Sequence, residues 1–424
     1  RRQHGEDRRS FDDQGLRDPD GGGGGGGGLL NGGVATGVRL APVAEWLAHA
    51  GRLIARAADF IEQLMRQVIK TGLPVWRAYI GLQLVHPQLQ AMAYMWRRGE
   101  KVQEMARAWG IQFTPAYIGS PLQAAREQGR LVRHRLTNLT EHDHVLLHEL
   151  RADGGVDYMA LPMHIRREGP PPVVTFATDN RMGFSDEDVS DLVRLVDMMG
   201  AVTEMHIERS VAETVANTYL GPEVGQRVLN GAIRRGEGEE IRAVLWFSDL
   251  RDFTGMNERL PAAEMLELLN NYLQLVGDAL KANGGEILKF IGDGVMAYFP
   301  AEDALFLPMV TGQALAAARR LISDIEAANE ARATGGREPV RFGVGLHVGD
   351  VTFGNVGTED RLDFTVIGPA VNRASRLEGM TKALGVKVCA SAEFNEVCTV
   401  PMKSLGKHRL RGVPAPVEIF TLPD

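Results

Sequence analysis

The sequence predicts an α+β protein in which a ferredoxin-like βαββαβ sandwich follows a mixed α/β domain and a coupling helix. Three observations support this prediction. Residues 241–424 show strand and helix patterns in the order β-α-β-β-α-β-β, which is that of a split β-α-β sandwich. Residues 36–184 combine an amphipathic helix with short apolar strands. A helical segment with an acidic first turn begins after Ser185 and joins the two parts.

The composition is that of an ordinary globular protein. Its 424 residues are 44% hydrophobic and 24% charged, which suffices for the cores of two or three domains. A formal net charge of -7 offers no basic field for nucleic acid or anionic lipid. The longest apolar run is too short and too polar to span a bilayer, and two cysteines cannot form a disulfide framework. We therefore expect a cytoplasmic protein with no nucleic-acid partner and no integral membrane segment.

The N-terminal region divides into a tail and a domain. Residues 1–35 are predicted to be a disordered tail, because eight consecutive glycines cannot bury a core. The domain after it, residues 36–184, shows a helical pattern over 44–70 and buried strands over 157–162 and 173–177. Its order of helix, strands and long exit helix is similar to that of GAF-type sensor domains. The resemblance implies a sensor-like domain with an unidentified small-molecule or protein input.

Residues 185–240 are predicted to form the coupling helix and a linker. Acidic residues in the first turn favour the helix dipole. Apolar side chains then follow a spacing of three and four residues, namely Val189, Leu192, Val196, Met199, Thr203 and His206. This heptad-like pattern fits a helix packed on its own domain, and it equally fits a parallel dimer helix that leads into the next domain.

Two aspartates occupy neighbouring positions in the predicted C-terminal sheet. Asp249 ends the first strand, and Asp293 lies at the tip of a Gly-Asp-Gly hairpin. In a split β-α-β arrangement this strand and this hairpin are adjacent, so both carboxylates can reach one edge of the sheet. Paired carboxylates beside exposed backbone suit Mg²⁺, which takes few protein oxygens and leaves room for phosphates. Each aspartate alone is equally typical of an ordinary turn.

Three segments resemble the catalytic domain of class III nucleotide cyclases in order and spacing. They are residues 247–254 (FSDLRDFT), 289–294 (KFIGDG) and 366–377 (VIGPAVNRASRL). The resemblance covers residues 241–424 and leaves the N-terminal part outside. It implies an adenylate cyclase that converts ATP into 3′,5′-cyclic AMP and pyrophosphate in intracellular signal transduction. A guanylate cyclase that makes cyclic GMP, and a catalytically inactive cyclase-like regulatory module, are the alternatives.

The resemblance assigns the two aspartates to metal binding. Asp249 and Asp293 match the metal-binding aspartates of the family, with the Leu250 carbonyl as a further ligand. The family uses two Mg²⁺ or Mn²⁺ ions per site. One ion activates the ribose 3′-hydroxyl as a nucleophile, and the other neutralises the triphosphate and the leaving pyrophosphate.

The resemblance also assigns residues that contact the substrate. Asn372 and Arg376 are four residues apart in a helical segment and therefore share one face. They match the family pair in which the asparagine orients the ribose and the arginine stabilises charge on the α-phosphoryl group. Arg411 aligns with a phosphate-binding lysine of the family. Further phosphate contacts are expected from the backbone N–H groups of residues 251–254, among them Phe253 and Thr254.

The choice of base depends on Lys289 and Thr365, which match the purine-reading positions of the family. Lys289 can donate to N1 of adenine, and the Thr365 hydroxyl can accept from the exocyclic amine. Guanine presents a donor at N1, for which a glutamate would be expected in place of the lysine. The commoner family residue at the second position is aspartate, so Thr365 is a weaker reader. ATP is the expected substrate, with some turnover of GTP.

The spacing of these residues also bears on assembly. Lys289 and Asp293 are four residues apart, which corresponds to roughly 13 Å along a strand. In the family, the metal-binding aspartates and the base-reading residues of one site come from opposite subunits. The resemblance therefore implies a head-to-tail homodimer with two equivalent sites and an inactive monomer.

Overall fold

The computed structural model describes residues 38–83, 87–166, 169–301 and 303–423. The predicted glycine-rich tail, residues 1–35, lies outside the described residues. Within the described ranges, no helix combines the length and the apolar content needed to cross a bilayer.

The N-terminal region contains a six-stranded antiparallel sheet. Its strands are β1 (Arg77–Gln83), β2 (Leu89–Arg97), β3 (Gln103–Ala108), β4 (Val132–Arg135), β5 (Asp157–Pro162) and β6 (Val173–Thr178). Their order in the sheet is β3-β2-β1-β6-β5-β4. The two strands expected from the sequence are confirmed as β5 and β6, whereas the other four were not predicted.

Helices cover both faces of this sheet. They are α1 (Ala41–His49), α2 (Ala57–Lys70), α3 (Pro121–Gln128), α4 (Val145–Ala152) and α5 (Asp186–Leu220). Side chains of α1, α2 and α5 share one core with one sheet face, and side chains of α3 and α4 pack with the other face. The single helix predicted over 44–70 is wrong. A 3-10 turn at Gly51–Leu53 and an extended Ile54 separate α1 from α2, which lets both helices contribute to the same core.

Helix α5 begins with a capping box in which Ser185 and Asp188 exchange hydrogen bonds. Of the heptad-like pattern, Leu192, Val196 and Met199 are buried in the N-terminal core. The first of the two interpretations therefore holds for this stretch, because these side chains pack on their own domain. They are not exposed to a partner helix.

The C-terminal region forms a second, larger sheet. Its strands are β7 (Gly238–Leu250), β8 (Glu286–Ile291), β9 (Gly294–Ala301), β10 (Phe342–Gly357), β11 (Leu362–Ile367), β12 (Val388–Ser391), β13 (Lys403–His408) and β14 (Val417–Thr421). The order is β13-β14-β12-β10-β7-β9-β8, and β11 pairs with β10. The segment β10-β7-β9-β8 is the 4-1-3-2 order of a ferredoxin-like sandwich, so the predicted fold class is confirmed.

Six helices accompany this sheet: α6 (Pro222–Leu229), α7 (Phe253–Arg259), α8 (Ala262–Ala282), α9 (Leu307–Thr334), α10 (Pro369–Leu384) and α11 (Ala392–Val397). Helices α8 and α9 pack on the face that carries Val244 and Trp246. The opposite face, which carries Ala243 and Leu245, packs with α6 and α10. The two faces follow from the alternation of side chains along β7.

Strand β10 differs from its predicted form. The alternation of apolar residues with glycine and polar residues over 340–348 predicts a half-buried strand that ends in a turn at Gly349-Asp350. Instead, β10 continues unbroken as it pairs with β7 from Phe342 to Gly354. Its glycines face α10: a Cβ added to Gly345 would lie 2.3 Å from the Ala374 carbonyl oxygen, and one on Gly349 would lie 2.6 Å from the Ala370 Cβ. The helix therefore covers a face that the sequence suggested was exposed.

Gly345→Ala should test this close approach. The added methyl group would also lie 2.4 Å from the Glu378 amide nitrogen, so helix and strand must separate. We expect a loss of about 1–3 kcal/mol in the free energy of unfolding, measured by urea denaturation. The control is Gly379→Ala in α10, where an added Cβ has no atom within 4 Å. That variant should gain about 0.5–1 kcal/mol. Equal stability of Gly345→Ala and the wild type would contradict the close contact.

Candidate active site

The two candidate metal-binding aspartates lie side by side at the end of β7. Asp249 is the penultimate residue of that strand, and Asp293 lies in the turn between β8 and β9. Both carboxylates accept a hydrogen bond from the same donor, the Leu250 N–H, at 3.1 Å for Asp249 Oδ1 and 3.2 Å for Asp293 Oδ2. The prediction that strand and hairpin bring the two acids together is therefore matched by the geometry.

These carboxylates repel each other. Burial and the neighbouring Asp293 raise the pKa of Asp249 from its ordinary value to about 8, and Glu378 of α10 adds to the rise. The pKa of Glu378 is itself raised, mainly by burial. In the described part of the chain, neither aspartate forms an ion pair with a lysine or arginine. The site therefore disfavours ionisation of both carboxylates together, because its own residues supply no positive charge beside them.

This donor set fits a divalent cation. Two adjacent carboxylates offer the oxygen ligands that Mg²⁺ and Mn²⁺ prefer, and a bound cation would remove their mutual repulsion. The described ranges contain no cluster of three or more acidic, histidine or cysteine ligands. An ion here would therefore depend on the two aspartates together with backbone, water or substrate oxygens, and the Leu250 carbonyl stays a predicted ligand.

The turn after β7 leads directly into α7. Asp252 has a φ of 64°, the left-handed conformation, and α7 begins at the next residue. Phe253 and Thr254 thus lie in the first turn of that helix, where N–H groups have no partner within the helix. The Arg251 N–H, in contrast, donates to the Arg341 carbonyl at 2.8 Å. The expected phosphate contact at residue 251 is therefore wrong for its N–H group.

Helix α10 carries the two residues expected to contact ribose and phosphate. Asn372 is exposed and Arg376 is half-buried. Among the residues described, Arg376 forms no ion pair, while its neighbour Arg373 pairs with Glu393. A Cβ added to Gly412 would lie 3.3 Å from the Arg376 guanidinium, so the turn that carries Arg411 lies beside it. The structure thereby brings both arginines to the same end of the molecule's second sheet.

Lys289, the lysine predicted to read the base, has a partner that sequence reasoning missed. The Lys289 ammonium donates to the Asp363 carboxylate, which lies on β11 two residues before Thr365. Residues two apart on a strand share a face, so Asp363 and Thr365 lie on the same side of β11. This spacing is the signal that could have identified Asp363. Glu378, also missed, lies one residue beyond the third motif.

The Lys289–Asp363 pair is separate from the aspartate pair. Among the described residues, no hydrogen bond or ion pair links the two groups within one chain. The contact with Asp363 orients the Lys289 side chain toward β11 and restricts its rotation. The candidate site residues of one chain therefore form two groups, one of carboxylates and one around Lys289.

Asp293→Asn should stabilise the fold when no divalent cation is present. Folded Asp249 keeps its proton up to about pH 8, whereas unfolded Asp249 loses it near 3.8, so its contribution to stability falls as the pH rises between these values. The substitution removes the neighbouring charge that helps to raise this pKa. In EDTA at pH 8 we expect the melting temperature to rise by about 2–4 °C, which corresponds to a gain of roughly 1 kcal/mol in the free energy of unfolding. At pH 5 the rise should be smaller.

The control for this experiment is Asp278→Asn on the exposed face of α8, which should change the melting temperature little at either pH. Addition of Mg²⁺ should stabilise the wild type more than Asp293→Asn. A variant that is less stable than the wild type in EDTA at pH 8 would contradict the repulsion between the two carboxylates.

Comparison with known proteins places the C-terminal sheet in a family. Residues 239–423 match the family model of the adenylate and guanylate cyclase catalytic domain. An adenylate cyclase of Anabaena cylindrica is 33% identical over 212 residues, which cover 48% of this chain and 40% of that protein. Adenylate cyclase 1 of Rhizobium meliloti (strain 1021) is 34% identical over 186 residues, 43% of this chain and 27% of the relative. The chain thus spans less than half the length of these relatives.

Solved structures of cyclase domains are also similar to this region. The adenylyl cyclase CyaB from P. aeruginosa is 29% identical, with a TM-score of 0.41, over 44% of this chain and 96% of that chain. The guanylyl cyclase Cya2 is 27% identical, with a TM-score of 0.39, over 43% and 92%. The family match therefore covers somewhat less than half of the chain, and over residues 239–423 the chain is similar to the catalytic domain of adenylate and guanylate cyclases.

Proposed function

We propose that the protein is an adenylate cyclase that converts ATP into 3′,5′-cyclic AMP and pyrophosphate. The observation that carries this proposal is the pair of uncompensated carboxylates, Asp249 and Asp293, on one backbone donor at the end of β7. Such a pair suits the metal-assisted displacement of a phosphoryl group. The relatives named as adenylate cyclases support cyclic AMP as the product.

Asp249 and Asp293 would hold the metal, with the Leu250 carbonyl as a further ligand. When bound, two Mg²⁺ or Mn²⁺ ions would make the ribose 3′-hydroxyl more acidic and would neutralise the triphosphate. The two carboxylates determine where a cation would bind, because both accept a hydrogen bond from the Leu250 N–H, which the strand holds in place. Burial of Asp249 strengthens this preference for a cation over water.

The remaining residues bind and orient the nucleotide. Arg376, without a carboxylate partner in the described chain, is available for charge that develops on the α-phosphoryl group. Asn372 lies one helical turn before it and would orient the ribose. Arg411, on the adjacent turn, and the backbone at Phe253 and Thr254 would hold the other phosphate oxygens.

Lys289 and Thr365 would read the adenine base. The Asp363 carboxylate accepts from Lys289 and keeps the ammonium on the side of β11 where Thr365 lies. A held ammonium is a better defined donor for N1 of adenine than a freely rotating one. Because Thr365 can both donate and accept, it discriminates less than an acid would, and the substrate preference depends mainly on Lys289.

The proposed enzyme is a homodimer with two shared sites. Phe290 and Ile291, which follow Lys289 in the chain, are 53% and 54% exposed, and Ile367 beyond Thr365 is 48% exposed. Exposed apolar side chains next to a polar site are typical of a surface that another chain covers. A second copy is the occupant we propose, because the carboxylate group and the Lys289 group are separate within one chain.

The coupling helix offers a further contact to the second copy. On the side of α5 turned away from the N-terminal core, the second half of the helix exposes Met205, Val215 and Tyr219. With Ala212 these residues are seven, three and four residues apart, which fits the heptad of a parallel helical dimer with Glu208 at the one polar position. The proposed seam therefore lies over 205–219, later in the helix than the pattern at 189–206.

The domain division and cellular role complete the proposal. We propose a tail over 1–35, a sensor-like regulatory domain over 36–184, a coupling helix and linker over 185–240, and the cyclase domain over 241–424. The likeness of the second unit to GAF-type sensors stays a prediction. Cys389 and Cys398 form no disulfide, which fits signal transduction in the reducing cytoplasm.

The purified chain, incubated with Mn²⁺ and either ATP or GTP, should form cyclic AMP much faster than cyclic GMP, as quantified by liquid chromatography. Asp293→Asn should lower cyclic AMP formation by about 10²-fold or more, while Asp278→Asn should leave it unchanged. If cyclic GMP is the main product, the protein is a guanylate cyclase instead. Formation of neither product by the dimer would favour the inactive regulatory module.

Shared sites can be tested by mixing two inactive variants. We propose that Arg376 acts with the aspartates of the opposite chain. Each heterodimer of Asp293→Asn with Arg376→Ala should then contain one intact site, so a 1:1 mixture should regain about a quarter of wild-type activity for a symmetric dimer. The matched control mixes Asp293→Asn with Asp249→Asn, which damage the same half of the site and should give no recovery. Absence of recovery in the first mixture, with heterodimers present by native mass spectrometry, would argue against shared sites.

A further inference from the structure

The N-terminal domain contains a cavity that the cyclase chemistry does not use. It lies between the outer face of the six-stranded sheet and the segment that includes α3 and α4, and its volume is about 360 Å³. The sheet contributes side chains from β1, β2, β3, β5 and β6, all from the face opposite the core that α5 joins. This volume is within the range of small-molecule sites in proteins.

Two guanidinium groups line the cavity without acidic partners. Arg77 donates only to the thioether of Met95, at 3.0 and 3.3 Å, and Arg107 donates to that of Met105 at 3.4 Å. Neither arginine has a carboxylate within ion-pair distance in the described ranges, although Glu149 lies on the cavity lining. Burial lowers the pKa of Arg77, with Arg97 adding to the fall. A sulfur acceptor is weak, so this positive charge is poorly compensated.

A buried hydroxyl group faces the same cavity. Tyr158 is 1% exposed, and its hydroxyl forms no hydrogen bond of normal geometry to any described residue. The Thr175 side chain lies beside it and is also buried. Thr175 is the polar side chain beside this hydroxyl and does not form a hydrogen bond of normal geometry with it, so a ligand oxygen in the cavity would supply a better partner.

The rest of the lining is apolar and aromatic. Tyr79 and Tyr117 contribute rings, and Met95, Met105 and Leu122 contribute flexible aliphatic surface. Thioethers contact aromatic groups favourably and adapt to their shape. The cavity therefore has a cationic part around Arg77 and an apolar part around the methionines.

We propose that this cavity binds a small organic anion, with a carboxylate or phosphate group at Arg77 and an apolar, ring-containing body against the methionines. Arg107 supplies the second cation, and the Tyr158 hydroxyl donates to an oxygen of the same ligand. The strand that carries Arg77 also presents Ala78 and Ile80 to the core that contains α5. Ligand binding thus occurs one sheet away from the helix that leads to the cyclase domain.

The test uses the full chain and three probes that share a naphthalene body: 2-naphthoate, 1-naphthyl phosphate and the neutral 2-naphthalenemethanol. Isothermal titration should show at least one anion binding 10-fold or more tightly than the alcohol, and the two anions distinguish carboxylate from phosphate. Arg77→Met should weaken the preferred anion at least 10-fold and leave the alcohol within 2-fold. Arg66→Met, on the exposed face of α2, should leave all three affinities unchanged.

If Arg77→Met binds none of the three probes, Arg77→Lys distinguishes the loss of the charge from a change of fold. The lysine variant should again prefer the anion over the alcohol, because the charge is restored. Three results would overturn the proposal: no binding of any probe at millimolar concentration, equal affinity for anions and alcohol, or an anion preference that neither Arg77 variant alters.

Discussion

The close contact between α10 and β10 is the constraint on which the catalytic half depends. Three glycines, at 343, 345 and 349, stand where a larger residue would collide with α10, and at Gly345 the strand meets the helix backbone directly. This contact sets the position of Asn372 and Arg376, and it also brings Glu378 close enough to affect Asp249 on the neighbouring strand. The position of the helix on the sheet and the electrostatics of the site therefore depend on the same three glycines.

The site is built from charges that the fold does not neutralise. Asp249 and Asp293 share one backbone donor, and Arg376 has no acidic partner in the described chain. A structure selected only for stability would pair these groups with one another. The free energy lost by leaving these charges unpaired is small compared with the free energy gained by burying the core of the sheet. Trp246, Tyr298 and Phe299 are fully buried there. A ligand that brings both cations and phosphates is complementary to both groups.

The sequence predicted the ferredoxin-like core of the second sheet and the proximity of Asp249 and Asp293, because both depend on local pattern and short connections. It failed where a partner is distant in the chain. Residues such as Gly345 look solvent-exposed until α10 is placed on them, and Asp363 gains meaning only when β11 approaches Lys289. The cavity around Arg77 has no sequence signature either, since five strands contribute to it. The roles of the site residues in turnover remain predictions that the proposed variants test.

The 35-residue helix α5 has a consequence for how such chains can be recombined. Its first part is buried in the N-terminal core, and beyond Gly221, whose φ is 85°, α6 inserts Val224 into the core of the catalytic sheet. Both ends are therefore fixed in rotation. One inserted residue would turn one end by about 100° relative to the other, whereas seven residues nearly restore the angle. Chimeras that exchange the N-terminal domain should therefore preserve helical phase, with linker lengths that differ by multiples of seven.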